Sequence, residues 1–310
     1  MLEVPDDLPT HWYVAPRPEG ARCLVIASGA LTTARLRNST VHARFESALP
    51  GGGALDPGGE DGYTILDCIF ASDASGAPST YFVVDVLSWR GHRVTECTAE
   101  FRLFWLASKL AELPAEAAAR GLPRFRALPY APATPEAIGG AHAGAGLDAQ
   151  VDGLLFLHRE AHYVPGSTPL ALLWKDAACS RYFIDTNKDG TVLPALHMVL
   201  VYQMDGTVAT GDDPGWVLGR LPVEFTQRLG GKLTPGTLLR FELGPQGFAL
   251  APDGKPSGAD LRLLGAAGSR RGRADALSKV LFQHAARTAP LSLEVLLQSA
   301  LEAAEAMTEA

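Results

Sequence analysis

Short apolar stretches bounded by turn-forming residues recur along the chain, and they predict β-strands. The first, ARCLVIAS, is rich in β-branched residues and is followed by a glycine. A length of five to eight residues with such flanks is typical of a strand and too short for most helices. The pattern predicts strands at residues 22–28, 63–70, 81–88, 151–158, 170–175, 196–204, 216–218 and 237–243.

A helical period replaces this pattern in residues 100–113. Phe101, Phe104 and Trp105 recur there at helical spacing, and Pro114 ends the pattern. We therefore expect one amphipathic helix whose aromatic side chains belong to the core. Two further helices are predicted at residues 274–286 and 291–307.

The connections between the strands are long and irregular. Glycine-rich residues 51–62 predict a surface loop, and residues 114–150, rich in Ala, Pro and Gly, predict a second irregular stretch. No internal repeat is visible. This organisation favours the α+β class over regular alternation of strands and helices.

Composition narrows the possible functions. The chain has 310 residues, 47% of them hydrophobic and 20% charged, which suits one large domain or two smaller ones. A formal charge of −7 argues against a protein that coats nucleic acid electrostatically, although it permits a local basic pocket. The apolar runs fall far short of the roughly 20 residues of a membrane-spanning helix. Acidic residues in 1–7 replace the basic start of a targeting peptide, so we expect an intracellular protein.

Metal-binding and cofactor motifs are not expected. The four cysteines are scattered without paired spacing, which predicts reduced thiols and no zinc or disulfide framework. Residues 185–190 resemble the first half of an EF-hand calcium loop, but Leu196 occupies the position where that loop needs a bidentate Glu. Residues 269–273 form a small basic cluster, interpreted as an exposed loop, with RNA contact or an import signal as the minor alternative.

A series of ordered motifs resembles that of the covalent nucleotidyltransferases, the capping guanylyltransferases and DNA ligases. The motifs are RPEGAR at 17–22, YTILDC at 63–68, VDGLLF at 151–156 and LLWK at 172–175. The resemblance implies a nucleotidyltransferase-like fold of the capping-enzyme and ligase-adenylation type, with antiparallel sheets and flanking helices.

Three chemical groups of that family are missing. Arg17 replaces the lysine nucleophile, and a guanidinium that stays protonated cannot form the lysyl-nucleotide bond. Ile69 stands at an acidic metal-ligand position, and Leu173 replaces the first lysine of the last motif. The residues that shape a nucleotide pocket survive, which indicates a binding module without enzymatic activity.

Longer strings resemble the snurportins. They include YTILDCI, VVDVLSWRGH, FRLFWLASKL and VDGLLFLHREAHYVPGSTPL, within residues 4 to 176. The resemblance implies recognition of the 2,2,7-trimethylguanosine cap of small nuclear RNAs by an adaptor for nuclear import. It also implies importin β and an exportin as partners, and residence in cytoplasm and nucleus.

The resemblance also divides the chain. We expect one domain over residues 1–288, with a cap-binding core at 4–180 and a lineage-specific extension at 181–288, and a C-terminal helix at 289–310. The Arg-rich importin β-binding segment of snurportins has no counterpart before Trp12. Either the chain is a fragment, or it reaches its carrier in another way.

Six residues are predicted to bind the cap. A methylated guanine is cationic, so an indole face attracts it by stacking and by cation–π interaction. The resemblance implies that Trp174 is the stacking platform, although the animal proteins have their tryptophan slightly earlier, and that Trp12 meets the methylated amine. Leu8 offers an apolar contact, and Lys175, Arg44 and Ser28 are candidates for the triphosphate.

Simpler interpretations stay open for these residues. Each tryptophan could be a packing residue, Trp174 especially because it stands in an apolar strand, and Arg44 could be an ordinary surface arginine. The alternative function is an active nucleotidyltransferase that uses another lysine such as Lys175. A third possibility is a protein scaffold without cap affinity.

Overall fold

The computed structural model describes residues 1–54, 62–71, 79–187, 189–229, 233–252, 255–268 and 272–308. The chain divides into two compact units. Unit 1 comprises Glu3–Arg181, Ser292–Ala310 and Met1, and unit 2 comprises Tyr182–Leu291 and Leu2. Part of the predicted loop at 51–62 and most of the basic cluster at 269–273 lie outside the described residues.

Unit 1 contains two sheets with helices around them. Its strands are β1 Trp12–Pro18, β2 Ala21–Ser28, β3 Leu31–Leu36, β4 Val41–Phe45, β5 Thr64–Ala71, β6 Thr80–Trp89, β7 His92–Arg93, β8 Arg124–Ala127, β9 Ala131–Pro132, β10 Val151–His158 and β11 Ala171–Trp174. Its helices are α1 Leu8–His11, α2 Ala99–Ala111, α3 Glu116–Ala119, α4 Pro135–His142 and α7 Leu293–Thr308.

The strands pair almost entirely antiparallel. Sheet A has the order β11-β10-β1-β9, and sheet B has the order β4-β3-β2-β5-β6-β7, with β8 parallel to β6. This arrangement confirms the predicted α+β class with antiparallel sheets.

The side chains of each strand point alternately to the two faces of its sheet, and these two faces have different neighbours. On sheet A, Ala15 and Leu155 pack against Ile69 and Phe82 of sheet B. The surfaces that the two sheets turn toward each other are called here the inter-sheet faces. Because successive residues of a strand point to opposite sides, the neighbours of these residues belong to the outer faces.

Helix α2 covers the outer face of sheet B. Its buried residues Ala99, Arg102 and Leu106 recur at helical spacing, and Leu106 joins the core formed by β2, β5 and β6. The expectation that the aromatic residues of this helix all belong to the core is wrong. Phe101 is 45% exposed and Phe104 is 72% exposed, because they project away from the stripe that faces the sheet.

Helix α4 covers the outer face of sheet A, where it packs on β1 and β10, and α7 packs on α1 and α4. The side chain of Thr134 caps the first turn of α4 by accepting the Ala137 N–H, and Pro135 follows at the first helical position. Residues 114–150 are therefore not one irregular stretch as predicted, since they contain α3, β8, β9 and α4.

Unit 2 is built on a second antiparallel sheet. It contains β12 His197–Tyr202, β13 Thr207–Ala209, β14 Val217–Arg220, α5 Val223–Leu229, β15 Leu238–Leu250, β16 Pro256–Ala266 and α6 Leu277–Thr288. The sheet order is β14-β13-β12-β15-β16, and Val280 of α6 joins its core. In the described part of the chain, no helix combines the length and apolar character needed to span a membrane.

Candidate functional site

Trp12 begins β1 and is almost fully buried, with 5% of its surface exposed. Its indole Nε1 donates a hydrogen bond to Asp7 Oδ1 at 2.9 Å. The His158 ring meets the indole edge to face, with 5.2 Å between centroids. Leu8, at the start of α1, is fully buried. Trp12 and Leu8 thus both lie in a packed region at the start of strand β1.

Trp174 ends β11 and is 1% exposed. It pairs with Leu154 of β10, and the ring of His142, at the end of α4, lies edge to face against it at 5.7 Å. The register places Trp174 on the outer face of sheet A, beneath α4. A guanine ring could stack on this indole only after the groups that cover it moved aside.

Leu173 occupies the neighbouring position on the inter-sheet face. It pairs with Leu155, which packs toward sheet B, and it is 36% exposed. The side chain on the accessible side of β11 is therefore an aliphatic one.

Arg17 and Lys175 converge on one carboxylate, that of Asp152. Arg17 Nη1 donates to Asp152 Oδ2, and Lys175 Nζ donates to Asp152 Oδ1 at 2.7 Å. Ser180 Oγ also donates to Asp152 Oδ1 and accepts from Lys175 Nζ at 3.2 Å. Burial lowers the pKa of Lys175 below its ordinary value, and the contact with Asp152 partly opposes that shift.

Gly153 permits this arrangement. Its φ of +118° is a conformation that side-chain-bearing residues rarely adopt. A Cβ atom there would lie 2.5 Å from the Trp174 carbonyl oxygen, too close for any real contact. Gly153 within β10 thus lets this strand approach the end of β11, next to the contact between Lys175 and Asp152.

A second polar group lies on the inter-sheet face of sheet B. Arg22 donates to both carboxylate oxygens of Asp67, from Nε at 2.9 Å and from Nη2 at 2.6 Å. Tyr163 donates its hydroxyl to Asp67 Oδ2 at 3.0 Å. The hydrogen bond from Arg22 to Asp67 raises the pKa of Arg22, and burial raises the pKa of Tyr163.

This polar group is partly open and has apolar neighbours. The Arg22 side chain is 48% exposed, whereas the Asp67 side chain is 5% exposed. The strand register places the half-buried side chains of Leu24, Ile26 and Ile65 on the same face. The combination provides a cation, an aromatic ring and an apolar floor on one accessible surface.

Arg102 holds the segment that carries Tyr163. It is 1% exposed, binds both oxygens of Asp85 at 2.9 and 2.7 Å, and donates to the carbonyls of Cys97 and Ala161. These four hydrogen bonds connect α2 to Asp85, Cys97 and Ala161, and they fix the position of the chain just before Tyr163. Burial raises the pKa of Asp85, while the hydrogen bonds from Arg102 oppose the shift.

Ser28 and Arg44 lie on sheet B. Ser28 ends β2 and is exposed, and Arg44 is exposed on the edge strand β4 opposite Thr33. Within the described ranges, Arg44 makes no ion pair. Of the six predicted cap-binding residues, Trp12 and Trp174 lie in sheet A, Ser28 and Arg44 lie in sheet B, and Leu8 and Lys175 lie in α1 and just after β11. Their roles stay predictions.

The sequence reasoning did not single out Asp67 and Tyr163. A carboxylate inside the apolar string TILDCI was the available signal, because a buried acid requires a partner. Tyr163 carried no comparable signal, since its partner lies 96 positions away in the chain.

Solved structures with distant similarity are DNA ligases. Mycobacterial DNA ligase D complexed with ATP and MES is 15% identical, with a TM-score of 0.39 over 84% of this chain and 91% of that chain. The ligase domain of LigD from M. tuberculosis is 14% identical, with a TM-score of 0.40 over 84% and 92%. Chlorella virus DNA ligase-adenylate is 10% identical, with a TM-score of 0.37 over 77% and 90%. These likenesses are too low to assign chemistry to this chain.

The family comparison is more specific. Residues 1–175 match the family Snurportin1, m3G cap-binding domain. The match spans more than half of the 310 residues and includes Trp12, Arg17, Asp152 and Lys175. This protein therefore belongs to the Snurportin1 m3G cap-binding domain family.

Proposed function

We propose that this protein is a non-enzymatic receptor for the 2,2,7-trimethylguanosine cap of small nuclear RNAs. The observation that carries the proposal is the family match over residues 1–175, which lies within unit 1 except for Leu2. The proposal extends to a role as adaptor in nuclear import, with importin β and an exportin as carriers, in cytoplasm and nucleus.

The inter-sheet face around Arg22 and Tyr163 supplies the chemistry that such a cap requires. The ring of Tyr163 can attract a cationic methylated base, and the exposed guanidinium of Arg22 can pair with the triphosphate. Leu24 and Ile65 offer apolar contact to methyl groups, which cannot accept or donate hydrogen bonds. We assign the cap to this face because the indole of Trp174 lies beneath α4.

Fluorescence titration tests this function. The protein is titrated with trimethylated, monomethylated and unmethylated guanosine cap dinucleotides at constant salt. We expect the unmethylated cap to bind weakest, since only the N7-methylated bases are cationic, and the trimethylated cap to bind tightest, since its two further methyl groups add apolar contact. Equal affinity for all three, or no binding, would contradict a cap receptor.

The adaptor role requires its own measurement. Immobilised protein is mixed with a trimethyl-capped small nuclear RNA and with purified importin β or exportin. We expect a ternary complex that forms only with capped RNA or its ribonucleoprotein. Cap binding without any carrier would restrict the function to cap recognition.

One observation favours a second candidate function, a nucleotidyltransferase that uses Lys175. Burial lowers the pKa of Lys175, and an amine with a lowered pKa is a better nucleophile. Its Nζ is nevertheless bonded to Asp152 and Ser180, and Ile69 is buried between the sheets where a metal-binding carboxylate is needed. Labelled GTP or ATP with a divalent metal, followed by denaturing electrophoresis, distinguishes the functions, since only the enzyme retains label.

A further inference from the structure

His142, Asp176 and Cys179 bring three metal-binding atoms together beside Trp174. His142 is the last residue of α4, and the other two belong to the turn that follows β11. One ligand atom from each residue lies within 4.8 Å of the other two. We propose that these residues form a binding site for a divalent transition-metal ion, with zinc as the best match. The proposal does not rest on the proposed cap-binding function.

The turn orients two of the ligands before any ion binds. Asp176 Oδ1 accepts the backbone N–H groups of Ala178 at 3.0 Å and Cys179 at 2.8 Å. The Asp176 carbonyl accepts the N–H of Ser180 at 3.1 Å. These bonds use one carboxylate oxygen for the turn and leave Oδ2 directed to His142. They also hold the Cys179 backbone next to the carboxylate.

The separations of the three ligand atoms are close to those around a tetrahedral ion. Zinc binds imidazole nitrogen and carboxylate oxygen at about 2.0–2.2 Å and thiolate sulfur at about 2.3 Å, so neighbouring ligand atoms lie roughly 3.3–3.7 Å apart. His142 Nε2 and Asp176 Oδ2 are 3.1 Å apart. Cys179 Sγ lies 4.0 Å from the Asp176 carbonyl oxygen and within 4.8 Å of both other ligand atoms, so it would move closer to them when an ion binds.

The ligand types select among metals. Thiolate and imidazole favour zinc and similar transition metals, whereas magnesium and calcium prefer oxygen ligands. Three protein ligands leave a fourth position for water. The side chains of His142 and Asp176 are 22% and 21% exposed, so water can reach this position.

Bound metal would join the end of α4 to the turn after β11. The edge-to-face contact of the His142 ring with Trp174 restrains the ring in the orientation that the site needs. The simpler alternative is a His–Asp ion pair with a thiol nearby that takes no part. The two interpretations differ in whether sulfur binds the ion.

Cobalt titration of the full chain under reducing conditions distinguishes the metal site from the simple His–Asp ion pair. Co²⁺ serves as the probe because a thiolate ligand produces a charge-transfer band in the near ultraviolet. We expect the band to saturate at one equivalent and to disappear when Zn²⁺ is added. Absence of the band in the wild-type protein would overturn the proposal.

Three variants identify the ligands. Cys179→Ser should abolish the band, and His142→Ala should weaken cobalt binding by at least about tenfold, since metal affinity depends strongly on each ligand. The matched control is Cys97→Ser, which alters a half-buried cysteine of the same unit whose side chain is outside this cluster. A band that persists in Cys179→Ser, or one that is lost in Cys97→Ser, would contradict the assignment.

Thermal unfolding supplies a second readout. Binding to the folded state raises the melting temperature, so Zn²⁺ should stabilise the wild-type protein and the Cys97→Ser variant. If Cys179→Ser does not fold, Asp176→Asn replaces it as the ligand variant, with a weakened zinc-dependent shift expected. A shift equal to that of the wild type in a folded ligand variant would overturn the site.

Discussion

Leu173 and Trp174 are consecutive residues that point to opposite faces of sheet A. Leu173 pairs with Leu155 and lies on the inter-sheet face, whereas Trp174 pairs with Leu154 beneath α4. On a strand, a shift of one position moves a side chain to the other face. The accessibility of the tryptophan in this strand therefore depends on a single residue of register.

Leu173→Trp tests this relationship directly. An indole at this position would project onto the accessible inter-sheet face, where a cationic base can stack on it. We expect cap affinity to increase by on the order of 1–3 kcal/mol, measured by fluorescence titration with the trimethylated dinucleotide. Leu172→Trp is the matched control, because Leu172 lies on the outer face and its substitution should not increase affinity. Unchanged affinity in a folded Leu173→Trp protein would contradict the location of the cap.

Trp174→Ala should act mainly on stability. Removal of a fully buried indole leaves a cavity, and such truncations cost about 3–5 kcal/mol in the free energy of unfolding. Leu173→Ala, at a position that is 36% exposed, should cost much less. Urea unfolding of both variants measures the difference. A Trp174→Ala protein with wild-type stability and weakened cap binding would instead establish this residue as the predicted platform.

Much of unit 1 was predictable from local patterns. The predicted strand at 151–158 coincides with β10, because its apolar run is bounded by polar residues on both sides. Strand β1 was missed because it contains Pro16 and Pro18, which lack the N–H group that pairs strands. β1 pairs with β9 only at Tyr13 and Val14, before both prolines. The missing N–H groups of the prolines therefore break no hydrogen bond to β9.

The candidate site was less predictable because its contacts are distant in the chain. Arg22 and Asp67 are 45 positions apart, and Asp152 and Arg17 are 135 apart. Hydrophobic periodicity specifies which side of a strand is buried, but it does not specify which strands become neighbours. The helical period around α2 likewise did not show which residues formed the buried stripe, and it placed Phe104 in the core.

Arg102→Met should destabilise the protein strongly. The substitution leaves the Asp85 carboxylate buried without its cation, and breaking such a pair costs about 3–5 kcal/mol. Arg93→Met is the control, since both side chains of the Arg93–Glu96 pair are more than 70% exposed and such pairs contribute about 0–1 kcal/mol. Chemical unfolding measures both values. Recovery of stability in the double variant Arg102→Met with Asp85→Leu would assign the loss to the uncompensated charge, whereas a mild effect of Arg102→Met alone would refute the prediction.

Arg22→Ala and Lys175→Ala should differ in their effect on cap binding. Arg22 is half exposed and can reach the triphosphate, so its loss should weaken binding of the dinucleotide more than binding of the methylated nucleoside. The effect should decrease as salt rises. The Lys175 side chain is 11% exposed and bonded to Asp152, so Lys175→Ala should lower stability and change the dinucleotide preference little. The reverse result, obtained by titration at two salt concentrations, would place Lys175 at the phosphates as the sequence predicts.

Arg17→Lys separates a receptor from an enzyme at the position that the sequence resemblance to nucleotidyltransferases aligns with their lysine nucleophile. Lysine supplies an amine that could attack an α-phosphate, but two features of the structure oppose the reaction. The new ammonium would keep Asp152 as its partner, as Arg17 does, and Ile69 offers no carboxylate for the metal that must neutralise the developing charge. We therefore expect no labelled adduct when this variant is incubated with labelled GTP and a divalent metal.

Cap affinity should change little, because the substitution keeps the positive charge and Arg17 is outside the group formed by Arg22, Asp67 and Tyr163. An adduct on the wild-type protein would refute the receptor. An adduct on the variant alone would show that the remaining site still supports catalysis once the amine is restored.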